Sequence, residues 1–179
     1  RVVPNKQIHA LLHMFSCYRA CNPLSRLVIA GSFEAVPAYY HWLQQRVQQL
    51  GLEEEVVFTG KVSEEILAGC YQKADAFVCL SAHEGFCLPL IESMYFNLPI
   101  IALDRAAVGE TLGESGVVFN EESPALMAEV IHRVLTDKAL KKRITDQQNK
   151  RLDFFSHDRF HQNSAVFFKR VLNGEKANG

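Results

Sequence analysis

No segment of the sequence is apolar for long enough to cross a membrane as a helix, and its five cysteines include no Cys-x-x-Cys pair. Charge of one sign is also lacking. The 19 Lys and Arg against 20 Asp and Glu give a formal net charge of -1, with a pI near 6.7. This balance excludes a global field that would gather nucleic acid, so no nucleic-acid partner is expected. The single basic run, Lys138 to Arg151, reads as a solvated helix face. Cys17, Cys21, Cys70, Cys79 and Cys87 fall largely in apolar patterns, where free cysteine behaves as a small hydrophobe. That usage fits a reducing cytoplasm better than a disulfide framework. The sequence has neither internal repeats nor a low-complexity linker, and 179 residues with 48% hydrophobic content suit one well-buried domain.

Strand-length apolar runs occur at Arg26 to Ala30, Val56 to Thr59, Ala76 to Leu80, Pro99 to Ala102 and Val117 to Phe119. Between them lie helical patterns at Lys6 to Arg19, Pro37 to Leu50, Ser63 to Gln72 and Leu88 to Phe96. Such alternation predicts βαβ units and a doubly wound parallel sheet with helices on both faces. After Phe119 the pattern is helical. A first helix is capped by Ser123, carries Pro124 in its first turn, and presents a stripe of Leu126, Val130, Ile131, Val134 and Leu135. Two more are expected at Lys138 to Leu152 and His157 to Leu172, before a small polar tail, Asn173 to Gly179, expected to be disordered. In such a sheet, ligands bind beyond the carboxyl ends of the strands.

The segment His83-Glu84-Gly85-Phe86-Cys87-Leu88-Pro89-Leu90-Ile91-Glu92 sits at one of these strand ends. A strand runs into Gly85 and a helix leaves it. The first N–H groups of a helix lack internal partners and stand at the positive end of its dipole, so they can receive phosphate or sugar oxygens. Glu84 and Glu92 flank the helix start, and carboxylates accept well from vicinal hydroxyls. Taken as an isolated pair, they would be ordinary surface charges.

The whole block Glu84 to Met94, followed by Asn97-Leu98-Pro99-Ile100-Ile101-Ala102, resembles the signature of family-4 retaining glycosyltransferases. The resemblance extends to Arg1-Val2-Val3-Pro4-Asn5-Lys6, Leu27-Val28-Ile29-Ala30-Gly31, Val57-Phe58-Thr59-Gly60-Lys61-Val62 and Ala74-Asp75-Ala76-Phe77-Val78. Several ordered blocks are far more specific than one motif. The resemblance implies a Rossmann-like half of a GT-B architecture, with a donor-binding domain over residues 1–172. The acceptor-binding domain would lie N-terminal to it and outside this chain, and a buried strand ending in glycine would come directly before Arg1.

The same resemblance implies the roles. Arg1 and Lys6 would hold the diphosphate of a UDP-, GDP- or ADP-linked sugar and meet the charge that develops as it leaves. Glu92 would take the ribose hydroxyls and Glu84 those of the transferred sugar, with backbone N–H groups of Gly85, Phe86, Cys87 and Leu88 facing sugar and phosphates. The backbone of Val62 would contact the base. Transfer would proceed with retention to a glycan or lipid-linked acceptor, generally without a bound metal, and the sequence has no Asp-x-Asp motif. Cys87, Gln7 and the turn Gly31-Ser32-Phe33 are bulkier than the family pattern. The loop Asp104 to Thr111 matches loosely, with Glu110 as its acidic residue.

Two further readings concern metals and histidine. His9, His13, Cys17 and Cys21 recur every fourth residue. Each such step drifts about 40° around a helix, so the outer pair cannot share one tetrahedral ion and no metal site is expected there. His83, beside Glu84, is a candidate substrate contact, the alternative being an ordinary loop histidine. Two other function classes remain open at this point. A non-catalytic nucleotide-sugar-binding scaffold would bind nucleotide without transfer, and a regulatory domain would have no nucleotide site. The expected location is cytoplasmic, the alternative being peripheral attachment at the inner membrane face.

Overall fold

The computed structural model describes residues 1–155. The helix expected at residues 157–172 and the tail 173–179 lie outside the described residues. A short 3-10 turn at Pro4–Lys6 leads into α1 (Ile8–Cys21). β1 (Leu27–Ala30), α2 (Pro37–Gln49), β2 (Val56–Gly60), α3 (Glu64–Lys73) and β3 (Phe77–Cys79) follow. Then come α4 (Leu88–Tyr95), β4 (Ile100–Leu103), α5 (Ala107–Leu112), β5 (Val117–Phe119), α6 (Pro124–Thr136) and α7 (Lys138–Phe154).

All strand pairings are parallel, as the βαβ alternation requires. The strands form two sets, β1–β2 and β3–β4–β5. Among the described residues no ladder joins them, and a cavity lies between the facing edges of β1 and β3.

β4 shows why the fold is doubly wound. Its four residues are all buried, and they alternate between two cores. Ile101 and Leu103 join α1, α2 and α6 through Leu12, Phe15, Leu43, Met127 and Ile131. Ile100 and Ala102 join α4 and α5 through Leu90, Met94, Val108 and Leu112, with Leu152 of α7 packed alongside. α7 is fastened across this second layer by polar contacts. The buried Gln148 side chain donates to the Leu98 carbonyl at 2.8 Å, and Arg151 donates to the carbonyls of Thr111 and Glu110.

Three local expectations need correction. Asp104 to Thr111 is not all loop, because α5 occupies most of it, its apolar Val108 and Leu112 filling the second core. Ser123 stands at the start of α6 but its hydroxyl makes no capping bond. The buried stripe of α6 is Met127, Ala128, Ile131 and Val134, which leaves Leu126 50% exposed.

Candidate functional site

The carboxyl ends of β1 and β3, with the turn ahead of α1 and the start of α4, enclose a cavity of about 610 Å³. Backbone bonds stitch these loops together. Val2 N–H donates to the Ser32 carbonyl at 2.8 Å, Ala82 N–H to the Asn5 carbonyl at 2.8 Å, and the Asn5 side chain to the His83 carbonyl at 3.3 Å. The 3-10 turn thus fixes Lys6 opposite the 81–87 loop, and Lys6 Nζ donates to Glu84 Oε1. The far side of that loop is held by α5, where Thr111 donates to the Phe86 carbonyl at 3.1 Å.

Burial raises the Glu84 carboxyl, but hydrogen bonds from Lys6 and Ser81 and the Lys6 charge outweigh it, so its pKa is lowered overall. Glu84 is therefore held ionised beside a cation. Glu92, on α4, accepts from the Tyr71 hydroxyl at 2.7 Å. Burial and that bond hold the Tyr71 phenol protonated far above its usual range, which makes it a fixed donor.

Arg1, Lys6, Val62, Glu84, Cys87 and Glu92 all line the cavity. His83, Gly85, Phe86 and Leu88 do not; Phe86 and Leu88 are more than half exposed, and His83 is exposed as well. Gly85 is not the helix start, since α4 begins at Leu88 after a left-handed Cys87 (φ 52°, ψ 60°). A side chain on Gly85 would meet nothing within 4 Å. Cys87 occupies a conformation that suits glycine, and its side chain turns inward to lie 3.8 Å from Cys79 Sγ. The Cys79 pKa is lowered by the hydrogen bond it shares with the Cys87 thiol, with burial opposing, and that of Cys87 is raised in turn by the same bond and by burial. Glu110, on α5, is exposed and away from the cavity.

Sequence reasoning missed two participants. Tyr71 was hidden in a helix with no motif, and Cys79 looked like a strand hydrophobe. On α1, His9 Nδ1 lies 3.2 Å from the Tyr39 hydroxyl and His13 Nε2 lies 2.5 Å from Arg46, so both rings face other partners.

Gly31 closes the turn after β1 at φ +142°, and a Cβ there would sit 2.7 Å from the Arg1 backbone nitrogen. Gly31→Ala is expected to cost roughly 1–3 kcal/mol, read by thermal unfolding. Unchanged stability would show that this turn has slack.

The model of the family described as glycosyl transferases group 1 matches residues 1–151. The chain belongs to that family. This corrects the family-4 assignment, which rested on short blocks, whereas the match to group 1 runs through almost every described residue. Among curated proteins, the chain is 26% identical over 144 residues to the serotype-specific mannosyltransferase WbdA of Escherichia coli, covering 80% of this chain and 18% of that protein. It therefore spans about a fifth of that relative's length. Among solved structures, Anabaena HepE in complex with UDP and glucose superposes with a TM-score of 0.81 at 21% identity, covering 94% of this chain and 46% of that one. The C-terminal domain of the glycosyl transferase group 1 family protein LpcC of Francisella tularensis superposes with a TM-score of 0.74 at 23% identity, covering 86% and 80%. These two likenesses are of fold: a Rossmann-like, parallel α/β domain corresponding to one half of a GT-B architecture.

Proposed function

We propose that this group 1 glycosyltransferase domain binds a nucleotide-diphosphate sugar at the strand carboxyl ends and supports retaining transfer of the sugar to a glycan or lipid-linked acceptor. The observation that carries the reading is the convergence of Arg1, Lys6, Val62, Glu84 and Glu92 on one cavity from three separate stretches of chain. An ammonium has three donors, so Lys6 can keep one on Glu84 and offer two to phosphate oxygens. Together with Arg1 it would meet the negative charge that builds on the departing diphosphate. Glu92, oriented by Tyr71, has a second oxygen for ribose hydroxyls. Glu84, ionised and paired with a cation, is a weak proton acceptor. That suits a hydroxyl-binding role better than the general-base role inversion would need.

The deeper part of the cavity, flanked by Val28, Ile29 and Ala30 on one side and Val78 and Leu80 on the other, has the strand edges as its walls. We assign it to the strand expected ahead of Arg1, and the donor to the mouth. An acceptor-binding domain on the N-terminal side would complete the cleft. The UDP and glucose bound by HepE support the donor class, and the mannosyl activity of WbdA supports a hexose. A cytoplasmic location, where nucleotide sugars are made, goes with the reading.

The test is calorimetric titration of the folded chain with UDP, GDP, ADP and their hexose conjugates. One nucleotide should bind selectively, and Glu92→Ala should weaken it by about 1–3 kcal/mol. Nucleotide affinity unchanged in Glu92→Ala removes that residue from the site. Nucleotide binding without transfer by the intact protein would favour the scaffold reading.

A further inference from the structure

Cys79 closes β3 and Cys87 precedes α4, so the loop between them folds back and brings both sulfurs and the Glu84 carboxylate to one spot on the cavity wall. One donor atom from each of these three residues lies within 4.8 Å of the others. Two sulfurs bound to a tetrahedral zinc at about 2.3 Å stand about 3.8 Å apart, and the Cys79 and Cys87 sulfurs are 3.8 Å apart. No backbone movement is needed to bring the two thiolates to that spacing. Charge also balances: two thiolates and the Glu84 carboxylate are matched by one divalent cation and Lys6, which is paired with Glu84. All three residues line the cavity, from which water or a phosphate oxygen would supply a fourth ligand. The periodic His and Cys line of α1 offers no such cluster among the described residues.

We propose that Cys79, Cys87 and Glu84 form a binding site for a thiophilic divalent cation such as zinc, and that its occupation inhibits donor binding by drawing Glu84 out of the sugar site. Cation binding stands on the cluster alone, whereas the inhibition rests on the function proposed above.

The test is titration of the full chain, carrying Cys17→Ser, Cys21→Ser and Cys70→Ser, with cadmium or zinc alone. One cadmium per chain should bind with a thiolate-to-cadmium charge-transfer band in the ultraviolet. Adding Cys79→Ser should abolish both the band and the stoichiometric step, with circular dichroism confirming the fold. Should that variant unfold, Glu84→Gln on the same background is the second arm, and its cation affinity should fall. Absence of stoichiometric uptake, or uptake that neither Cys79→Ser nor Glu84→Gln changes, overturns the site. A parallel titration with the nucleotide sugar separates the two claims. Loss of nucleotide-sugar binding in the presence of cation supports the inhibition, and unchanged nucleotide-sugar binding overturns it while the site stands. If metal-free protein binds cation but no nucleotide, the inhibition and the donor reading fail together and the cation site remains.

Discussion

The proposed transfer predicts that Lys6→Ala in the intact protein lowers turnover by about 10²–10³-fold, the usual loss when one preorganised donor to developing charge is removed. The 3-10 turn that carries Lys6 is tied to the 81–87 loop through Asn5, so the ammonium is held in place before substrate arrives. The loss should fall mainly on turnover, with a smaller effect on nucleoside-diphosphate binding, because the phosphate charge grows in the transition state. Initial rates against donor concentration separate the two, and equal losses in both would mean that Lys6 only binds. The substitution also strands Glu84, whose side chain is 11% exposed, without its cation. A double-mutant cycle with Glu84→Gln isolates that coupling. The pH dependence follows from the same pair. The folded-state pKa of Glu84 lies below its unfolded value, so the stability it contributes is full above the ordinary carboxylate range. That stability disappears as pH falls through the lowered folded value. Lys6→Ala should flatten this acid limb of a stability profile.

Much of the architecture was legible because the signals were strong and local. Five apolar runs became five parallel strands, each within two residues of its expected ends, because these runs are short and bounded by glycine or polar residues. Lys6, Glu84 and Glu92 were found as motif members, and they meet in space because motifs at strand ends converge in a parallel sheet. What escaped was tertiary. Six residues of α5 are too few to show a period, and only burial of Val108 and Leu112 against β4 makes that helix. The phenol of Tyr71 reaches Glu92 from a helix whose own residues are none of them buried, so no stripe marked it. Cys87 read as a residue bulkier than the family pattern. Its left-handed backbone instead turns the thiol inward against Cys79, a pairing that depends on one dihedral.

The alternation along β4 leads to the largest expected stability effect. Ile101 is fully buried on the central strand of its sheet, against the layer formed by α1, α2 and α6. Ile101→Ala should cost about 2–5 kcal/mol through lost transfer energy and the cavity left behind. For a domain of this size that lowers Tm by roughly 4–20 °C. Ile66→Ala, at a site 56% exposed on α3, should change stability by no more than about 0.5 kcal/mol. Ile100, also fully buried, faces the opposite layer with Cys79, Cys87 and Leu90, the residues that seat the 81–87 loop. Ile100→Ala should therefore destabilise the fold to a similar degree but weaken nucleotide binding more than Ile101→Ala does. Calorimetric titration of both variants well below their melting temperatures reads the difference. Equal nucleotide affinities would mean that the loop is positioned by its stitching to Asn5 and Lys6, and not by the core beneath it.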